Sequence, residues 1–332
     1  MTAKYRLLLF LSFIPLYNVF GQYTDMINAN RPGVSQGAFS VGKNILQLES
    51  GFNYGKEKHT LRNTETDAWG IDYSIRYGLL KEQLEISFMG EYQNSNVKAR
   101  RDETKISNFK SNTFGAKYLI YDPYKSLDSK LPNLYSWKAN NRFDWLDLIP
   151  AISFYIGINV DFPDNPYTEK SGSTVSPKFL LATQHNWKGG FVFVTNFMAD
   201  FGATNEPTLG YILTLTHATN RYFSIFIENQ GISNNYYADQ ILRGGIATLI
   251  NPDLEVDLSV TTNFKDTPSK LYGRLGLAYR LDFHKEDEYI LDVYKSGKDV
   301  TKDKERKEKK AKAEEQKKEE KRARKERRKN KS

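Results

Sequence analysis

Along much of this chain apolar and polar residues take turns one for one in segments of about ten residues, and this period of two narrows the possible folds more than any other property of the sequence. In Ile45 to Tyr54, Leu46, Leu48, Phe52 and Tyr54 fall on one face, while Gln47, Glu49 and Asn53 fall on the other. Trp69, Ile71, Tyr73, Ile75 and Tyr77 oppose Gly70, Asp72, Ser74, Arg76 and Gly78. Leu84, Ile86, Phe88 and Tyr92 oppose Glu85, Ser87, Glu91 and Gln93. Ile152 to Phe162 and Leu254 to Val260 repeat the pattern. Looser versions surround Phe114 to Tyr121, Pro177 to Trp187, Phe191 to Phe201, Leu209 to His217, Tyr222 to Glu228, Leu242 to Ile250 and Tyr272 to Phe283, for twelve strands in all. Side chains of a strand point alternately to its two faces, so each segment has one apolar and one wet face.

Two architectures satisfy such strands: a soluble sandwich with its apolar faces together, or a closed barrel with its apolar face in lipid. Segment length favours the barrel, because strands of this size exceed the usual 5 to 6 residues and match a tilted membrane crossing. Aromatics point the same way. Trp69, Tyr77, Tyr92, Trp187, Tyr222, Tyr272 and Phe283 fall near strand ends, where interfacial girdles lie. The expected fold is all-β, a transmembrane antiparallel barrel of about twelve strands.

The first residues fit export to such a membrane. Lys4 and Arg6 precede the apolar stretch Leu7 to Leu16, and Val19-Phe20-Gly21 offers a cleavage region, which together read as a signal peptide over 1–21. No later run approaches the roughly 18 to 20 apolar residues of a membrane-spanning helix. The chain has no cysteine, which excludes a lipoprotein anchor, a disulfide framework, thiolate metal sites and cysteine catalysis.

The net charge of +8 is concentrated at one end. Residues 301–332 carry 17 Lys+Arg against 8 Asp+Glu, or +9, leaving 31 against 32, or −1, for the rest. An exported chain with a neutral body is not expected to bind nucleic acid. The tail has no core-forming residue after Val300, and the pairs Glu308 with Lys312, Glu314 with Lys318 and Glu320 with Arg324 favour a solvated, partly helical or disordered arm.

Domain organisation follows: a signal peptide (1–21), a periplasmic lead (22–43), the barrel (44–283) and a basic periplasmic tail (284–332). With the amino end inside, the outer loops are Gly55 to Glu65, Asn94 to Phe109, Pro163 to Gly172, Gly202 to Glu206, Gln230 to Tyr237 and Lys265 to Ser269. The inner turns, such as Lys188 to Gly190, are short. The inner connection from Asp122 to Asp147 breaks this rule and is read either as an amphipathic helix or as a break in the strand count.

On the wet face, the candidate lumen charges are Asp72, Arg76, Glu85, Glu91, Glu255, Asp257, Arg274, Arg280 and Asp282. They would form either a charged constriction or salt bridges that fill the interior. No catalytic, cofactor or metal site is expected. His59, His185, His217 and His284 have no metal-site spacing, and His217 with Thr219 and Asn220 reads as a turn histidine rather than half of a hydrolase site.

The lead Asn30-Arg31-Pro32-Gly33, with Gly42-Lys43 and Leu46-Gln47-Leu48-Glu49-Ser50-Gly51-Phe52, resembles the start of the MetA-pathway phenol-degradation family, with Asn30 where members usually have Asp. The resemblance implies an outer-membrane, transporter-like barrel. The function expected is therefore a porin-like channel or transporter for small solutes, not an enzyme, located in the cell outer membrane. The alternative is a plugged structural barrel tethered by its tail to cell wall or a periplasmic partner. The implied partners are outer-membrane lipid and the barrel assembly machinery, for which Leu277, Tyr279, Leu281 and Phe283 form an assembly-like terminal strand.

Overall fold

The computed structural model describes residues 26–124, 135, 148–162, 165–167, 174–187, 189–201 and 207–284. Twelve strands follow in chain order: β1 (Ile45–His59), β2 (Thr64–Gly78), β3 (Leu84–Lys98), β4 (Glu103–Tyr121), β5 (Ala151–Val160), β6 (Val175–Trp187), β7 (Phe191–Asp200), β8 (Thr208–Ala218), β9 (Phe223–Ser233), β10 (Ala238–Asn251), β11 (Leu254–Asn263) and β12 (Ser269–Asp282). Each pairs antiparallel with its chain neighbours, and β12 returns to β1, closing the barrel. Closure satisfies the backbone of every strand on both sides, the condition for crossing hydrocarbon without helices.

The direct pairing of β4 with β5 shows that the long connection after Tyr121 does not interrupt the strand order. The helix expected there, and the basic tail beyond His284, lie outside the described residues.

Alternation sorts the wall as its sequence requires. Ile71, Ile75, Phe88, Phe154, Ile156, Leu213, Leu258, Leu275 and Leu277 stand exposed on the outside, while Gln47, Glu49, Arg76, Glu85, Ser153, Asn196, Glu228 and Asp257 are buried on the inside. The inner face is not polar throughout. Tyr155, Leu180 and Ala182, with Met89 and Met198 against them, make an apolar sector on the β3 and β5–β7 side of the lumen.

Three expectations are corrected. Tyr272 does not join an outer girdle: it shares the inward parity of Arg274, and its hydroxyl donates to Glu57 Oε1 at 2.6 Å. Outward positions on that strand belong to Leu271 and Leu275. The first two outer loops are mostly strand, since β1 meets β2 through residues 60–63 and β3 meets β4 through 99–102. Backbone pairing there outlasts the apolar band, because polar side chains in water do not hinder a ladder. The short inner turns stand, and the β6–β7 turn uses Gly189 and Gly190 at φ of +89° and +79°, a conformation side chains resist.

The third correction concerns the lead. Residues 26–43 do not lie outside the barrel but inside it. The Ile27 N–H bonds the Pro252 carbonyl at the inner end of β11, and the Asn44 N–H bonds Gly78 at the inner end of β2. Between these points the segment climbs into the lumen and descends again. An irregular backbone so placed needs partners, and the inward side chains supply them.

Candidate functional site

The site is built from the lead and the wall that holds it. Asp72, Gly51, Gly276 and Asp257 form one transverse row across β2, β1, β12 and β11. Arg31 lies on this row. Its Nη1 is paired with Asp72, its Nε donates to Asp257 Oδ2 at 2.7 Å and its Nη2 to Asp257 Oδ1 at 3.3 Å. A Cβ on Gly51 would come within 2.4 Å of the guanidinium and one on Gly276 within 2.0 Å, so the two glycines open the cradle that the two aspartates close.

Across the lumen the lead is held by its backbone. Glu228 Oε2 accepts the N–H groups of Val34 at 3.0 Å and Ser35 at 3.2 Å, as well as the Thr214 hydroxyl at 2.8 Å. Asn196 exchanges two hydrogen bonds with the Gln36 backbone, accepting at 2.6 Å and donating at 2.8 Å. The descending arm is fixed by Gln184 on the Ala38 N–H and by Lys117 on the carbonyls of Gly37 and Phe39.

Beneath this arch the inner half of the lumen is filled by charge. Arg76 makes two parallel bonds to Glu85, at 2.8 and 2.9 Å, and reaches Glu49 Oε1 at 3.0 Å and the Asn28 carbonyl at 2.8 Å. Lys117 stands 3.4 Å from Glu85, which also accepts the Val41 N–H. Such bidentate pairs bring geometry as well as energy.

The outer half differs. A cavity of about 250 Å³ has Val34 of the lead among its lining residues, with Glu57, Glu91, Lys110, Arg243, Lys270, Tyr272 and Arg274 around it. At its rim the loop residue Tyr167 places its hydroxyl within 3.2 Å of the Gln93 carbonyl, Ser95 Oγ and the Ile106 carbonyl. Burial raises that phenol above the ordinary tyrosine value.

All nine sequence-proposed lumen charges stand on the inner face, and the structure divides them among different settings. Arg76 and Glu85 belong to the inner cluster. Asp72 and Asp257 hold Arg31. Glu91 and Arg274 line the outer cavity, Glu91 paired with Lys110 at 3.3 Å. Arg280 pairs with Asp282 at 3.0 Å and Asp253 at 3.5 Å, at the inner end. Glu255 is half-buried, with its Oε1 enclosed and without a hydrogen-bond partner.

Sequence reasoning missed Arg31, Asn196 and Glu228 as members of the site. Arg31 stood inside a noted motif, but nothing in its spacing places the lead in the lumen. His217 lies on the outer face stacked on Phe191 at 4.2 Å between ring centroids, and Asn220 is occupied in bonding the N–H groups of Tyr222 and Phe223 at the turn. Among the described residues no group of three or more His, Asp or Glu could hold a metal ion.

A closed twelve-stranded barrel with an apolar belt and a polar interior defines an outer-membrane-type β-barrel. The chain belongs to the family described as "Putative MetA-pathway of phenol degradation", whose model matches residues 29–281, which takes in the lead from residue 29 onward. Among solved structures it is similar to the COG4313 outer membrane channel from Pseudomonas putida F1, at 8% identity and a TM-score of 0.50, over 77% of this chain and 100% of that one. It also aligns with the translocator domain of autotransporter NalP from Neisseria meningitidis, at 10% identity and a TM-score of 0.43 over 72% and 89% of the two chains. The CymD monoaromatic hydrocarbon channel aligns at 9% identity and a TM-score of 0.42 over 74% and 90%. At such identities the likeness concerns the fold. No curated protein matches the sequence.

Proposed function

We propose that this protein is an outer-membrane channel for small solutes, closed on its inner side by its own lead. The observation that carries the reading is the division of one lumen into a polar cavity of about 250 Å³ and an inner half occupied by residues 26–43. A barrel serving only as an anchor has no need of a charged cavity bounded by a chain segment that the wall holds through one guanidinium and several backbone bonds. The wall supplies polar groups for a permeating solute, and the lead decides whether the path is continuous.

Planar-bilayer recording and liposome swelling test this with the full chain and with Arg31→Gln. Low conductance in the parent, rising in the variant, is expected. Absence of conductance and of solute flux in both, with each barrel correctly inserted, overturns the reading. In that case the plugged, structural barrel stands in its place.

A second reading attaches to the tail, whose excess charge of +9 over 301–332 suits anionic headgroups or wall polymers. Deleting Lys302 to Ser332 should then release the barrel from sedimented wall material. Unchanged co-sedimentation removes the tether.

A further inference from the structure

The outer cavity carries four cations, Lys110, Arg243, Lys270 and Arg274, against the two carboxylates Glu57 and Glu91. Both arginines share their counter-ions with the lead. Arg243 donates through Nη1 to Glu228 at 2.9 Å, but that carboxylate also serves Val34, Ser35 and Thr214. The Arg243 side chain is only 9% exposed, and its Nε is buried without a partner. Arg274 reaches Asp72 at 3.5 Å, and Arg31 holds that same carboxylate more closely. The lead thus takes up counter-charge that the cavity arginines would otherwise have to themselves.

Two further buried groups on the same lining lack partners: Asn53 Nδ2, a donor, and Gln230 Oε1, an acceptor. Among the described residues of the lining Tyr272 is the one aromatic ring, and its hydroxyl is committed to Glu57. A bare aromatic solute would leave the guanidinium and both amide groups unsatisfied, and an unmet buried polar group is expensive. A carboxylate answers the guanidinium pair with short, charge-assisted bonds, and hydroxyls answer a mixed donor and acceptor set. The cavity is also smaller than sites for drug-sized ligands, which start at about 300 Å³.

We infer that the outer cavity is a binding site for a small hydroxylated carboxylate of the sugar-acid class, with its carboxylate at Arg243 and Arg274 and its hydroxyls at Asn53 and Gln230. This deepens the channel reading and rests on it for its biological meaning, although binding itself is measurable without transport.

Equilibrium dialysis of the full-length protein in detergent, with radiolabelled glucuronate, tests the site, with glucose and phenol as competitors. Glucuronate should bind saturably and Arg274→Gln should weaken it about tenfold, the scale of one charge-assisted hydrogen bond. Glucose should compete at least about tenfold less well than unlabelled glucuronate, for the same reason. Lys270→Gln, which leaves both arginines in place, serves as a second variant and should weaken binding less than Arg274→Gln. Glucose competing as well as glucuronate, phenol competing better, or no saturable binding overturns the inference. Conductance in potassium chloride separates the two claims. Conductance without glucuronate binding removes the ligand class alone, and binding without conductance removes the channel alone.

Discussion

The inner and outer halves of the lumen are made by the same twelve strands and have opposite contents. In the inner half Arg76, Glu85, Glu49 and Lys117 pair with one another and with the lead, and all four are buried. In the outer half cations and carboxylates of the same kinds surround a cavity. Wall chemistry therefore does not decide whether this barrel is filled. The lead decides it, by supplying backbone groups and one guanidinium that complete the inner network. Outside its reach, similar side chains are left facing open volume.

The largest effect should come from removing that difference. A chain lacking residues 26–41 should show about tenfold or higher conductance in planar bilayers, because pore width and lining govern conduction. The same deletion should equalise the halves chemically. The protein has no cysteine, so a cysteine at Thr261, on the outer cavity, should react quickly with a water-soluble maleimide in the full chain, and one at the fully buried Ser153 only after the deletion. Fast labelling at Ser153 in the full chain would show that the inner half is wet and the comparison false.

Next in size is the inner cluster itself. Arg76→Leu leaves Glu85 and Glu49 buried without their main partner, a change that costs about 3–5 kcal/mol when one member of a buried pair is lost. Urea unfolding from lipid vesicles measures it. A loss below 1 kcal/mol would mean that water already enters the cluster.

These contrasts explain how far the sequence could be read. The barrel and its two faces were legible because register in a sheet with one lipid face is fixed by the period of two, and a slip of one residue would put Asp72 and Arg76 in hydrocarbon. The lead was not legible, because an irregular segment carries no period. Its place is set by backbone groups meeting Glu228, Asn196 and Gln184, positions that read alike whether they face water or chain. The Arg31 cradle was hidden for a related reason. Gly51 and Gly276 are more than two hundred residues apart in the chain and become neighbours only through closure of β1 on β12. Tyr272 was misread because an aromatic near a strand end suits a girdle and a lumen equally well until parity is fixed by Leu271 and Leu275.

The outer face offers a smaller effect than the cluster. Tyr73 stands on the lipid side, its ring against Phe88 at 5.6 Å between centroids and its hydroxyl donating to Asn112. Tyr73→Arg should lower stability in vesicles by about 2–4 kcal/mol, the cost of a cation near the midplane of a barrel's lipid face. Insertion without loss would place Tyr73 away from the hydrocarbon midplane.

The smallest effect belongs to the tall hairpin of β1 and β2, where Lys58 and Glu65 pair at 3.3 Å with side chains 63% and 68% exposed. These are the strands that bring Glu49 and Arg76 together lower down, so the two ion pairs differ in surroundings rather than in scaffold. Water screens the upper pair, and holding two long side chains together costs rotamer freedom, so such contacts contribute about 0–1 kcal/mol. Lys58→Ala should leave the unfolding midpoint close to that of the parent, and 1 M salt should erase any residue of the difference, since screening then acts within about 3 Å. The Arg76 variant should keep most of its deficit at the same salt, because a buried pair is shielded from counter-ions. A deficit at Lys58 as large and as salt-resistant as that at Arg76 would show that the upper hairpin is packed rather than solvated, and would move the boundary between the lipid band and water up to residues 58–65.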